Sequence, residues 1–379
     1  MKPADFKLER FFALHELSSA YLLSASDCES LTVEDLLALE GDDAAERLAS
    51  LRLGYGDAAG DPALRDAVAS LYTGLSADEI LTGAPEECIF IALTSLLEPG
   101  DHVIVTSPAY QSLLELPRAA GCRVSEWRLE RTATGWLLDL DELTRLSAGG
   151  VKMIVVNFPH NPTGYLPDRD EFEAIVETAD RHGAVLFSDE MYRYLEQNDA
   201  ERLPPACELY RSAISLGGLS KAYGLPGLRT GWLASRETSL LTPAAAMKDY
   251  TTICASAPVE FLARIAVENT ATITWRCREI IRPNLEAAEA FFASHREWFG
   301  WIPPRAGSVA FPELLPSNPG GIATADELSA LLRERENALL LSGTLFDRNP
   351  AEFRIGLGRL SFPEALERLS HVLEHAAGR

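Results

Sequence analysis

The sequence predicts an α/β protein: a large domain with a mostly parallel sheet sandwiched by helices, and a smaller α+β domain beside it. Three observations carry this expectation. Short apolar or β-branched runs with polar flanks recur through the middle of the chain: DHVIVTSP, VKMIVVNFP, GAVLFSDE, SAISLGGLS and RTGWLAS. Amphipathic stretches of helical period precede them and lie between them, and strands alternating with helices imply crossovers that cover both faces of a sheet. Towards the C-terminus the pattern changes to helices (ATADELSALLRERE, PEALERLSHVLEHA) mixed with short strands (ALLLSG, FRIGLGR). A length of 379 residues suits two domains at roughly 150 residues each. The expected division is a large domain over residues 46–283 and a small one assembled from both chain ends, 1–45 and 284–379.

Taken in order, residues 1–45 read as a short helical start and a turn-rich stretch, SASDCESLTVEDLLALE. Asp27 or Ser30 could open a turn there, and Thr32 caps the next helix with Asp35 three residues on. DPALRDAVASLY is an amphipathic helix and APEECIFIALTSLL a more apolar one. PDRDEFEAIVETADRHG is a helix opened by Pro and Asp and closed by Gly183. Residues 258–297 form a long helical bridge to the second unit, with a break expected near Pro283.

Composition narrows the function classes. With 34 Lys+Arg against 56 Asp+Glu the net charge is −22, a field that repels nucleic acid and anionic membrane surfaces. The N-terminus alternates charge with apolar residues and carries no signal-peptide core. No run is long and apolar enough to span a membrane. The six cysteines are scattered without CxxC spacing, as expected for reduced thiols in a cytoplasmic protein. His371 and His375 share a helical face but have no third ligand nearby, so no metal is expected. GDAAGD lacks the lysine of a P-loop.

In an open parallel sheet, ligands bind beyond the carboxyl ends of the strands, and that is where the chemistry-bearing residues fall. VKMIVVNF is followed by Pro159-His160-Asn161-Pro162-Thr163-Gly164, GAVLF by Ser188-Asp189-Glu190-Met191-Tyr192, and SAISL by Gly217-Gly218-Leu219-Ser220-Lys221 and then AYGLPGLRTGW. Three successive strand ends deliver an amide, a carboxylate with a phenol, and a lysine with an arginine. The glycine-rich apolar setting of Lys221 lowers an amine's pKa by desolvation, favouring the neutral nucleophile.

In these motifs, and over essentially the whole chain from Tyr55 to Arg354, the sequence resembles the class I/II aminotransferase group of fold-type I pyridoxal-phosphate-dependent enzymes. The resemblance implies pyridoxal 5'-phosphate (PLP) as cofactor, held by its aldehyde on Lys221. Asp189 would face the pyridine nitrogen and keep it protonated. Tyr192 and Asn161 would hydrogen-bond the ring's phenolic oxygen, and Tyr110 would stack on the ring. Phosphate donors would be Arg229, Ser220 and the helix start at Gly83-Ala84, with Tyr55 reaching the site of a neighbouring subunit in a homodimer. Arg354, inside the apolar strand FRIGLGR, would grip the substrate α-carboxylate together with Asn161.

Two positions depart from the family pattern. Pro85 stands where a second backbone amide commonly faces the phosphate, and proline has none. Gly218 stands where many relatives carry a hydroxyl. The resemblance implies transamination between an L-amino acid and a 2-oxo acid. The alternative is a cyclase, lyase or oxidase of a modified, arginine-type amino acid in natural-product biosynthesis. Glu16, Asp27 and Glu29 are candidates to face a basic side chain, and His160 is expected to pack behind Asn161.

Overall fold

The computed structural model describes residues 2–378. An eight-stranded sheet forms its centre, and its strands are numbered in chain order: β1 Ile80–Gly83, β2 His102–Ser107, β3 Arg123–Arg131, β4 Trp136–Leu138, β5 Met153–Asn157, β6 Val185–Asp189, β7 Ala213–Gly218 and β8 Gly231–Ala234. Their spatial order is β1-β8-β7-β6-β5-β2-β3-β4. The five strands from β7 through β3 run parallel, while β8 and β4 are antiparallel to their neighbours. The chain leaves β2 towards β3 and leaves β5 towards β6, so the order reverses between β2 and β5. Such a switch point opens a crevice beyond the strand ends.

The uninterrupted apolar runs reflect burial on both faces. Val103, Val105, Met153, Val155 and Phe187 point into one core, and Ile104, Ile154, Val156 and Leu186 into the other. The capped helices form as their sequences predict. Thr32 and Asp35 make a reciprocal capping box, and Arg169–His182 begins at Asp168 and ends at left-handed Gly183.

Two features differ from the sequence reading. The long helical stretch divides at Asn269, into Ala257–Glu268 and Thr270–Ser294, whereas Pro283 lies inside the second helix without ending it. Asn269 leaves helical geometry there and its side-chain amide donates to the Ile265 carbonyl, the local competition with helix that asparagine favours. Strand β3 carries charges at five of its nine positions (RVSEWRLER) and was not singled out. It lies near the sheet edge, where one face meets water and polar residues alternate with buried Trp127 and Leu129.

The two chain ends meet. Tyr21–Leu22 pairs in parallel with Ala338–Leu339, and residues 23–29 then run along the strand Phe353–Gly356 and the turn beyond it. Leu23 O accepts from Gly356 N at 2.7 Å and Glu29 N donates to Gly358 O at 2.8 Å. The approach requires glycine: a Cβ on Gly356 would stand 1.6 Å from Ala25 O, and one on Gly358 2.4 Å from Asp27 O. The N-terminal helix Lys7–His15 spans the crevice mouth. At its first residue the Lys7 amide donates to Gln111 Oε1 and the Lys7 ammonium pairs with Asp347, and Leu8, Glu9 and Phe12 line the crevice. Among the described residues no helix is long and apolar enough to cross a membrane.

Candidate active site

The crevice at the switch point is a cleft of about 520 Å³. Tyr110 enters it after β2, Asn157 and Asn161 after β5, Asp189, Met191 and Tyr192 after β6, and Ser220 and Lys221 after β7. Arg229 and Arg354 reach it, as do Glu16 and Asp27. Strand ends that the sequence spreads from Tyr110 to Lys221 thus converge on one cavity.

Lys221 donates from Nζ to Ser26 Oγ at 2.8 Å, and the Ser26 carbonyl is fixed by Ser308 Oγ at 2.7 Å. Burial holds the ammonium's pKa below its ordinary value, helped by Arg354 and Arg229 and opposed by Asp27 and Glu9. The neutral amine is therefore more accessible than on a surface lysine. Asp189 is buried at the end of β6 and accepts from the Met191 amide at 3.1 Å. Burial pushes its carboxyl up to about 7, with Glu190 adding and the Met191 amide and Lys221 opposing. A carboxylate in that position is short of a cation.

Arg354 is 1% exposed. Its Nη1 donates to Asn161 Oδ1 at 3.1 Å and its Nη2 to Ser24 O at 2.9 Å, which leaves Nε without a partner. Asn161 is itself set by Asn157, whose Oδ1 accepts the Asn161 amide at 2.8 Å and whose Nδ2 donates to Asp189 O at 3.0 Å. His160 packs behind this turn, bonded to Thr163 Oγ1 and Pro108 O. Burial holds its pKa down at about 4, so the ring is neutral.

Four buried polar atoms lack a protein partner where the cleft residues meet. Ser220 Oγ, Arg354 Nε and Ser24 Oγ make no hydrogen bond, and Tyr192 Oη makes none of good geometry although the Ser26 hydroxyl lies beside it. Orphaned donors of this kind are costly unless a ligand satisfies them. A planar group with a basic ring nitrogen for Asp189, a ring oxygen for Tyr192, an anionic arm for Ser220 and Arg229, and a carbonyl for Lys221 fits this donor set, and PLP has all four.

Several expectations need correction. Gly83 and Ala84 do not line the cleft: Gly83 is taken up by pairing opposite Gly231, and the Ala84 amide meets Glu87 Oε2 at 3.3 Å. Pro85 and Glu86, one step on, take that place. Asp27 lines the cleft as expected of a candidate, but its Oδ2 is paired there with Arg359 at 2.7 Å. Glu29 lies outside the cleft and accepts from the Leu360 amide. Tyr55, expected to serve a neighbouring subunit, is 92% exposed and does not line the cleft of its own chain.

The departure at Gly218 has a packing reason. A Cβ there would lie 2.8 Å from Met191 Sδ and 3.1 Å from Pro85 Cγ, so the proline that removes an amide also fills the space of a hydroxyl-bearing side chain. Residues not foreseen are Ser26, Asn157, Arg359 and two carboxylates, Glu9 and Glu86. Asn157 had a signal, as the last polar residue of an apolar strand. Glu9, Phe12 and Glu16 had another, a helical face spaced three and four apart.

Comparison with known proteins agrees with this geometry. The model of the family "Aminotransferase class I and II" matches residues 20–371. The chain is 33% identical to capreomycidine synthase of Streptomyces vinaceus, across 99% of this chain and 94% of that one. It is 25% identical to aspartate aminotransferase of Pyrococcus horikoshii, across 84% and 81%. Among solved structures, a PLP-dependent aminotransferase from Streptococcus suis matches with TM-score 0.91 at 32% identity, over 99% of both chains. The PLP-dependent cyclase OrfR matches with TM-score 0.90 at 29% identity, over 99% of this chain and 98% of that one.

Proposed function

This chain belongs to the class I and II aminotransferase family and uses PLP, and from that premise we propose that it transfers an amino group between an L-amino acid and a 2-oxo acid, with Lys221 as the residue that carries the cofactor and moves the proton. The observation that carries the reading is the pairing of a lysine of lowered pKa with a buried, cation-deficient Asp189 in one cleft. When bound, PLP supplies an electron sink that makes the substrate Cα–H bond acidic.

The chain's own residues do the rest. Arg354 takes the α-carboxylate through its guanidinium, with Asn161 holding the fork in place, a charge-assisted arrangement that fixes the orientation of Cα. Lys221, as the neutral amine, would accept the proton from the substrate Cα. Asp189 would keep a proton on the ring nitrogen, Tyr192 would donate to the ring oxygen, and Ser220 and Arg229 would hold the phosphate. Lys7–His15 lies over the mouth and limits water. The active unit is proposed as a homodimer in which the outward-pointing Tyr55 enters the neighbouring site.

A second reading, cyclisation, elimination or oxidation of a modified arginine-type amino acid, is favoured by the 33% identity over nearly the full chain to capreomycidine synthase. One experiment separates the two. The holoenzyme is incubated with single amino acids, with and without a 2-oxo acid acceptor, and products are weighed by mass spectrometry. Transamination requires the acceptor and yields a 2-oxo acid. Product that retains the substrate nitrogen, formed without an acceptor, supports the second reading.

A further inference from the structure

We propose that Glu9 and Glu86 form a cation-binding subsite in the cleft, so that the amino acid accepted carries a positively charged side chain, a guanidinium or an ammonium. The inference rests on the reading of the cleft as an amino-acid site and adds the class of substrate.

Charge accounting leads to it. Five carboxylates line the cleft (Glu9, Glu16, Asp27, Glu86 and Asp189) together with four cations (Lys221, Arg229, Arg354 and Arg359). Each cation has a partner or an assigned anion. Arg359 is paired with Asp27, Arg354 is directed at a carboxylate, Lys221 carries the cofactor, and Arg229 faces its phosphate. Asp189 is committed to the ring nitrogen. Among the described residues, Glu9, Glu16 and Glu86 have no lysine, arginine or histidine nitrogen within 4 Å. Glu86 is half-buried and Glu9 stands exposed at the rim; a half-buried carboxylate without a counter-charge is costly, and a bound cation would offset that cost.

Of these three, Glu9 and Glu86 share one neighbour, Tyr110. Glu9 comes from the N-terminal helix and its Oε1 accepts from Tyr110 Oη at 3.3 Å. Glu86 comes from the first turn of Pro85–Leu96 and its Oε2 accepts from Ser112 Oγ at 3.0 Å. Both act on the Tyr110 phenol and raise its pKa, which puts one carboxylate from each side of the cleft around the same ring. Neutral hydroxyls hold the two carboxyl groups in place without neutralising them. The independent sign of a ligand is Arg354: 1% exposed, lining the same cleft, with Nε unpartnered. A cleft with an unsatisfied guanidinium and three carboxylates without a counter-charge is complementary to a molecule bearing a carboxylate and a cation.

Protonation supports the reading. Burial pushes Glu86 up to about 7, with Glu9 and Asp189 adding and the Ser112 hydroxyl and Arg229 opposing. Glu86 is the acceptor whose charge appears as pH rises through neutrality, so affinity for a cation rises across the same range.

The test uses ligands that cannot react. 5-Guanidinopentanoate has the carboxylate and the cation but no α-amino group; 5-ureidopentanoate is its neutral counterpart, and 6-aminohexanoate replaces the guanidinium by an ammonium. Calorimetric titration of the holoenzyme is expected to give roughly tenfold or more tighter binding of a cationic acid than of the neutral one at pH 8. The preference should shrink at pH 6. In Glu9→Gln and Glu86→Gln it should fall, and in Glu86→Gln its pH dependence should flatten, an effect that a merely structural role would not produce. Glutamine keeps the volume and an acceptor for Ser112, and circular dichroism checks the fold. Equal affinity for charged and neutral acids, or an undiminished preference in the double variant, overturns the subsite. A cation preference in an enzyme that converts no amino acid at all overturns the functional reading and leaves the subsite standing.

Discussion

Arg354 Nη1 and Asn161 Oδ1 meet at 3.1 Å, joining the strand Phe353–Gly356 to the turn after β5 across 193 residues of sequence. The contact aligns the guanidinium before any substrate arrives, and Nε, with the second hydrogen of each Nη, is left for a carboxylate. Arg354→Lys keeps the charge and loses the fork. Steady-state kinetics should show KM for every accepted amino acid rising roughly 10- to 100-fold, in line with the loss of a charge-assisted hydrogen bond. An unchanged KM would assign the carboxylate to another residue.

Asp189 gives a pH dependence whose sign follows from its raised pKa. Its carboxyl titrates near 7 in the folded chain against 3.8 when unperturbed, so the native state binds the extra proton. Its contribution to stability is full below the unfolded value and is lost as pH rises through about 7. Cofactor-free protein should therefore lose thermal stability between pH 4 and 7, measured as Tm by scanning calorimetry, beyond what Asp189→Asn loses. Added PLP should recover more stability at pH 8 than at pH 5, because a protonated ring nitrogen supplies the missing cation.

Arg229 is expected to carry more of the phosphate than the family pattern implies. Pro85 offers no amide, Gly218 no hydroxyl, and the Ala84 amide is engaged by Glu87. Arg229→Ala should lose cofactor on dialysis, with PLP affinity reduced about tenfold or more. Fluorescence titration of the dialysed variant with PLP reads this directly, and full retention would point to donors elsewhere.

Gly356→Ala tests how the N-terminal segment is seated. The added methyl would stand 1.6 Å from Ala25 O, so residues 23–29 must shift, at a cost of about 1–3 kcal/mol or more. Ser24 on Arg354, Ser26 on Lys221 and Asp27 on Arg359 would move together. Lower Tm combined with a raised KM is expected; lower Tm alone would mean that the segment does not position the site.

Much of this was legible in the sequence because its signals are local. The runs that became β2, β5, β6 and β7 are apolar without alternation, which only two-sided burial explains, and their polar ends mark the cleft. Lys221, Asp189 and Tyr192 could be found from those ends alone. What was hidden depends on contacts between distant segments. Nothing near Asp27 announces Arg359, and nothing near Glu9 announces Tyr110. The helix break fell at Asn269 and not at Pro283, because a proline costs one hydrogen bond while packing on both sides of the helix persists.

The most direct test of the central claim is borohydride reduction of the holoenzyme followed by peptide mass mapping. The cofactor's mass should be fixed on the peptide that contains Lys221 and on no other, and Lys221→Ala should abolish the adduct while leaving the fold intact. Label on a different lysine, or a reduced enzyme that releases all its cofactor, would contradict the account.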